Sequence, residues 1–180
     1  MNAVEAICRI FDSIGASYAL IGGRAVSVRG HPRMTLDYDF LTTNRGVLQA
    51  DVWRDLEQFG ATIDPRKGDF DDPLAGVVHI SFDDGMEVDV VVAKWKWQQA
   101  VIDRADNLDF GGTRLPVPRT SDLILLKLTA GGHLDLQDVA ALLAVSDVER
   151  VVREVDENIH LLDPDASAAW KRIRPSVVSD

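Results

Sequence analysis

Cysteine is almost missing from this chain: Cys8 is the only one in 180 residues. A single thiol forms no intrachain disulfide and builds no cysteine-cluster zinc site. Long apolar runs are missing too. Nowhere do about 18 apolar residues follow one another, the length a membrane-crossing helix needs, so no membrane association is expected. The opening residues, MNAVEAICRIFDSIGAS, are interrupted by Glu5, Arg9 and Asp12, which does not suit a secretory leader. The cytoplasm is therefore the expected location. Basic residues are outnumbered, with 19 Lys and Arg against 29 Asp and Glu and a formal net charge of −10. An extended nucleic-acid footprint needs clustered cations to displace counterions, so none is expected, although a small basic patch stays possible. What is present is the composition of a globular protein, long enough for one ordinary domain or one domain with a helical appendage.

Apolar periodicity divides the chain. Val4, Ile7, Cys8, Phe11 and Ile14 have helical spacing, with Gly15 as a stop. Tyr18 to Ile21 is a strand ending on Gly22 and Gly23, after which Arg24 to Arg29 suits a short helix. A turn through Gly30, His31 and Pro32 leads to a strand over Asp37 to Leu41. Gly46 to Phe59 is an amphipathic helix, and Ala61 to Asp64 a short strand. Pro65 to Gly76 is turn-rich and acidic, a surface loop. Val77 to Phe82, the Asp83-Asp84-Gly85 turn and Met86 to Ala93 form a hairpin. Lys94 to Asp106 is a helix, and Leu108 to Val117 a second hairpin around Gly111 and Gly112. From Arg119 the character becomes helical: Thr120 or Ser121 to Gly131, Asp135 to Ala144, Val148 to Val155 and Pro164 to Ile173. The expectation is a mixed α/β (α+β) core over residues 1–118, a small mixed sheet flanked by helices, and a C-terminal helical region over 119–180.

Chemistry concentrates between Tyr18 and Leu41. Glycines let the backbone turn sharply from strand into helix, and helix-opening N–H groups can bind phosphate oxygens. Asp37 and Asp39 are two residues apart, so on an extended strand they point the same way. Two carboxylates on one face repel each other unless a cation lies between them, and a divalent metal is the obvious candidate. Asp89 stands in the apolar strand Met86 to Val92, where a buried charge needs a partner. Glu87 shares its face but lies nearer the Gly85 turn, where more exposure is expected. Each feature also has a plainer reading. The glycine pair can be an ordinary turn, Asp37 and Asp39 a solvent-facing strand edge, and Asp89 the partner of Arg33 or Arg24. Asp135 can be an N-cap, Lys127 a dipole-compensating side chain, His31 a turn residue, and Trp95 and Trp97 core edge or a base-stacking surface.

Glycine turn, acid pair, then a lone acid on a later strand: in this order the residues resemble the nucleotidyltransferase superfamily related to DNA polymerase beta. The matching positions are Gly22, Gly23, Asp37, Asp39 and Asp89. With Arg33 and Thr35 just ahead of the acid pair, the spacing resembles the branch of AbiEii-type toxins and antibiotic nucleotidyltransferases. Lys127 to Val139 resembles the Lys-x-x-Ala…Asp-x-x-Asp helix pair of that branch, so the likeness spans roughly residues 15 to 145. It implies the nucleotidyltransferase fold and transfer of a nucleoside monophosphate from an NTP to an acceptor hydroxyl on a small molecule, a protein or an RNA. It also implies Mg²⁺ or Mn²⁺ held by Asp37, Asp39 and Asp89, with Gly22, Gly23, Arg24, Arg33, Thr35 and Lys127 around the nucleotide. Two departures stand out. Gly132, His133 and Leu134 occupy places that often hold cations, and Arg24 replaces a small hydroxyl residue. They leave open a second expectation, a non-catalytic module of the same fold with a protein partner, as in a toxin–antitoxin or other two-component assembly.

Overall fold

The computed structural model describes residues 2–32, 34–110 and 112–175. They form two compact units, one of residues 2–24, 34–110 and 112–118, the other of 25–32 and 119–175.

The first unit is built on a five-stranded sheet. Its strands are β1 (Tyr18–Ile21), β2 (Tyr38–Thr42), β3 (Ala61–Lys67), β4 (Gly76–Phe82) and β5 (Glu87–Val92), in the order β1-β2-β5-β4-β3. Only β2 and β5 run parallel; the other pairs are antiparallel. Alternation along β4 and β5 separates two faces. Val78, Ile80, Phe82, Val88, Val90 and Val92 are buried, while Val77, His79, Ser81, Glu87, Asp89 and Val91 lie on a half-exposed face. Helix α1 (Ala3–Ser13) contributes Ile7 and Phe11 to the core, both fully buried. Its start is fixed by a capping box between Asn2 and Glu5. Phe11 stacks on Tyr18 at 4.4 Å and meets Phe40 and Trp53 edge-on.

Several boundaries differ from expectation, among them the helix expected over Lys94 to Asp106, which covers only Lys96–Asp103 before a strand opens at Asp106; three others change how the first unit is built. Residues 45–48 and 50–59 wind as 3₁₀ turns rather than an α-helix. Trp53 Nε1 donates to the Val47 carbonyl at 2.7 Å and ties the two turns together. Strand β3 continues through Pro65, Arg66 and Lys67, which read as loop. It lies at the edge of the sheet, where a proline costs no ladder bond on the open side. Third, β2 begins at Tyr38, so Asp37 precedes the strand. Helix α3 (Lys96–Asp103) and the hairpin β6 (Asp106–Phe110) with β7 (Thr113–Val117) complete this unit.

Helix α2 (Gly22–Val28) opens on the glycine pair, and its later residues belong to the second unit. That unit also holds α4 (Thr120–Ala130), α5 (His133–Val145), α6 (Val148–Asn158) and α7 (Pro164–Ile173). Helix α4 is apolar on several sides, burying Leu123, Ile124, Leu125 and Leu128, because α5, α6 and α7 all pack on it. Trp170 is buried on α7, its indole N–H donating to Asp156 Oδ1 at 2.7 Å. Among the described residues no helix is long and apolar enough to cross a membrane.

Candidate functional site

The glycine turn and the middle acid meet directly. Ile21, the last residue of β1, pairs with Asp39 on β2. Gly22 follows with φ +66°, and a Cβ added there would lie 1.8 Å from Asp39 Oδ2. Glycine is thus required twice, by the left-handed backbone and by the carboxylate resting on it. Asp39 in turn is the register partner of Asp89 across the parallel β2–β5 pair. Opposed residues of neighbouring strands share a face, so two of the three expected acids stand side by side near the starts of β2 and β5. Both are half-buried.

Asp37 is placed differently. It is exposed and lies one residue ahead of β2. Its N–H donates to Thr35 Oγ1 at 3.3 Å, and its carbonyl accepts from Arg24 Nε at 3.0 Å. Arg24 Nη2 also donates to the Leu36 carbonyl at 2.9 Å, and the guanidinium lies 3.8 Å over the Tyr38 ring. Arg24 therefore braces the backbone that leads into the acid pair. A delocalised planar cation suits this combination of a donor fork and aromatic stacking. Arg33 lies outside the described residues.

Lys127 belongs to the other unit. Its ammonium is 2.7 Å from Asp135 Oδ1 and 3.1 Å from Asp138 Oδ2, and its side chain is only 12% exposed. Two carboxylates already compensate that charge. Asp135 is not the cap of α5, which begins two residues earlier; it lies in the first turn, where Oδ2 accepts the Gly132 N–H at 3.2 Å.

Two residues not singled out as partners of the site complete the picture around Asp89. His79 on β4 is its register partner on the side away from β2. His79 Nδ1 donates to Asp89 Oδ1 at 2.6 Å. Nε2 of the same ring is 2.9 Å from Glu87 Oε2. That approach is off the line of a hydrogen bond, since Oε2 is buried with no hydrogen-bond partner, so the contact is electrostatic. The hydrogen bond to Asp89 raises the His79 pKa above its ordinary value. Burial opposes the shift, the Asp89 and Glu87 charges add to it, and Arg66 works against it. Beyond His79 the row continues to Asp64 on β3, whose Oδ2 accepts from Arg66 Nη2 at 2.6 Å.

Among the described residues no group of three or more His, Cys, Asp or Glu side chains is placed to hold a metal ion, so Asp37 does not join Asp39 and Asp89 in a three-carboxylate site. A pair of carboxylates suits Mg²⁺ or Mn²⁺ at a phosphate site, where one or two carboxylates hold the ion and substrate oxygens and water supply the remaining ligands. Asp39 and Asp89, hard oxygen donors beside a glycine turn, fit that role.

No family model matches the sequence, and no curated protein matches it. Several solved structures do. The solution structure of the antibiotic-resistance factor ANT(2'')-Ia aligns over 94% of this chain and 94% of its own, with TM-score 0.56 and 13% identity. The crystal structure of that factor in complex with adenylyl-2''-tobramycin aligns over 88% and 95%, with TM-score 0.57 and 12% identity. The lincosamide antibiotic adenylyltransferase LnuA, with lincomycin bound, aligns over 80% and 96%, with TM-score 0.50 and 14% identity. The chain has the nucleotidyltransferase fold. At such identities the likeness carries the fold and not the AbiEii branch or the acceptor. The nucleotidyltransferase fold accounts for why a glycine turn after β1, an acid on β2 and an acid on β5 lie together although nearly seventy residues separate the first from the last.

Proposed function

We propose that this protein is a metal-dependent nucleotidyltransferase that moves a nucleoside monophosphate, AMP from ATP in the first instance, to an acceptor hydroxyl. The observation that carries the reading is the register of Asp39 and Asp89 on parallel strands beside the Gly22 turn. In the reaction the acceptor oxygen forms a bond to the α-phosphorus, the bond from that phosphorus to the bridging oxygen breaks, and pyrophosphate leaves with the electron pair. Asp39 and Asp89 are the residues that would hold Mg²⁺ or Mn²⁺, with Asp37 exposed just ahead of β2. Such an ion supplies charge stabilisation on the attacking and leaving oxygens. Asp89 also accepts the acceptor's hydroxyl proton. Gly22 and Gly23 let the backbone approach phosphate oxygens. Arg24 and Thr35 hold the segment that carries Asp37, and the Arg24 N–H groups not used there are donors of the kind that bind phosphate.

The similar structures concern a tobramycin adduct and bound lincomycin, which supports a small polyhydroxylated acceptor here. The test is pyrophosphate release from labelled NTPs with Mg²⁺ across a panel of small hydroxylated acceptors, beside calorimetric binding of MgATP. Turnover with a small acceptor, lost in Asp39→Ala together with MgATP binding, is the expected result. No turnover on any acceptor, with Asp39→Ala binding MgATP as wild type does, sinks the reading.

A second reading, a non-catalytic module with a protein partner, is favoured by one observation. The Lys127 charge is compensated by Asp135 and Asp138, and the places beside it hold Gly132, His133 and Leu134 rather than cations. Light scattering and pull-down from a native lysate separate the two: a tight partner with no nucleotide binding supports the module.

A further inference from the structure

The Asp89 carboxylate has a neighbour on each side of its strand. On one side is β2 with Asp39; on the other is β4 with His79. A carboxylate on a strand can rotate about its terminal torsion, which is broad and roughly two-fold. Left to itself, beside Asp39 and two residues from Glu87, it would turn to relieve repulsion rather than to serve a ligand. His79 removes that freedom. Its Nδ1 holds Asp89 Oδ1 by a hydrogen bond at 2.6 Å, and its Nε2 lies 2.9 Å from Glu87 Oε2 in an electrostatic contact that is not a hydrogen bond, so one nitrogen is bonded and the other is drawn to a carboxylate. The alternating burial of β4 places His79 on the half-exposed face with Val77 and Ser81 on either side of it along the strand.

We propose that His79 is the positioning residue of Asp89: by engaging Oδ1 from the β4 side, it keeps Oδ2 for the side of β5 on which Asp39 stands. Glu87 is the counter-anchor that fixes the far edge of the imidazole. The inference rests on the reading of Asp39 and Asp89 as divalent-cation ligands and adds the residue that orients one of them. A carbonyl, carboxylate or ring that orients a ligand from behind is commonly worth 10–100-fold in metal affinity or activity.

The two nitrogens can be tested separately, because an Asn amide nitrogen superimposes on Nδ1 of histidine and a Gln amide nitrogen on Nε2. His79→Asn keeps a donor toward Asp89 and loses the contact with Glu87. His79→Gln does the reverse, and His79→Ala loses both. Mn²⁺ binding is followed by electron paramagnetic resonance in wild type, Asp39→Ala and the three His79 variants, with thermal unfolding alongside. Mn²⁺ affinity is expected to stay within about threefold of wild type in His79→Asn and to fall by roughly tenfold or more in His79→Gln and His79→Ala. Equal affinities in all three variants, or losses that track the melting temperatures, overturn the positioning role while leaving the cation site intact. Failure of wild type to bind Mn²⁺, or an unchanged affinity in Asp39→Ala, overturns the cation site itself and the inference with it.

Discussion

Gly22→Ala is the perturbation that separates a functional turn from an ordinary one. Two costs follow from the geometry. The backbone at Gly22 has φ +66°, and an L-residue in the left-handed region costs about 1–2 kcal/mol. The new methyl would also lie 1.8 Å from Asp39 Oδ2 and 2.6 Å from its Cγ, where ordinary contact begins at 3.4 Å. The carboxylate is the softer of the two partners, so it swings away from its rotamer at a cost of about 0.5–1.5 kcal/mol. The stability loss is thus roughly 2–3 kcal/mol, which for a chain of this size lowers the melting temperature by on the order of 5–10 °C. The functional loss is larger than the stability loss suggests, since a 1 Å displacement at a reacting site costs about 100-fold in rate. Thermal unfolding, Mn²⁺ binding and pyrophosphate release measure the three quantities. The decisive comparison is a cycle with Asp39→Ala, which deletes the carboxylate and leaves only the Cβ of residue 39, 2.9 Å from the new methyl. The alanine at position 22 should then cost its backbone term and a small residual contact, less than in the wild-type background, so the two substitutions are non-additive. Additive losses, with Mn²⁺ binding of Gly22→Ala equal to wild type, would show that the Asp39 carboxylate does not depend on the glycine.

Three further outcomes follow from the geometry. Lys127→Met leaves Asp135 and Asp138 facing each other, the latter with a side chain 6% exposed; urea denaturation should show a loss of about 3–5 kcal/mol, partly restored when Asp138→Leu is added. The His79 imidazole in metal-free protein should titrate above its ordinary value by NMR and move toward it in Asp89→Asn. Because the folded pKa is the raised one, the pairing stabilises the fold fully below the unfolded value of about 6.5, and that contribution is lost as pH rises through the folded value; a titration at or below the ordinary value refutes the pairing. Arg24→Lys loses the fork to Leu36 and Asp37 and the stacking on Tyr38, so amide hydrogen exchange across residues 34–37 should accelerate while that of β4 and β5 does not.

Much of this site can be read from the chain, and the remainder fails for identifiable reasons. Strand β1 has its expected ends because an apolar run stops on two glycines. The pairing of His79 with Asp89 was available as well. A three-residue turn at Asp83, Asp84 and Gly85 sets Phe82 against Met86, where the Phe82 N–H donates to the Met86 carbonyl at 2.9 Å. Counting back along both strands from that pair reaches His79 opposite Asp89. The parallel register of β2 with β5 had no such local signal, since no turn joins them, and only the assembled sheet sets it. Asp37 was expected on the strand by alternation alone; the Arg24 brace on the Leu36 and Asp37 carbonyls lies outside the sheet, and β2 starts just after it. The loop expected at Pro65 to Lys67 is strand because an edge position tolerates proline, and edge position is a property of strand order rather than of composition.

The half-exposed sheet face has an electrostatic logic that joins these pieces. Asp39, Asp89, His79 and Asp64 occupy one register row across β2, β5, β4 and β3, with Arg66 paired to Asp64 at its outer end. Away from Asp39 the charges alternate, anion against cation, so each outer acid has a neutralising neighbour. Asp39 and Asp89 are adjacent in that row, two carboxylates in one register pair beside the glycine turn. A divalent cation set against both would hold them together where a triphosphate shares its ligands. Val91→Lys, on the same face of β5 as Asp89, tests that placement, because its ammonium competes with the ion for the Asp89 carboxylate. Mn²⁺ affinity is expected to fall in this variant while the fold persists by thermal unfolding, and an unchanged Mn²⁺ affinity refutes the placement.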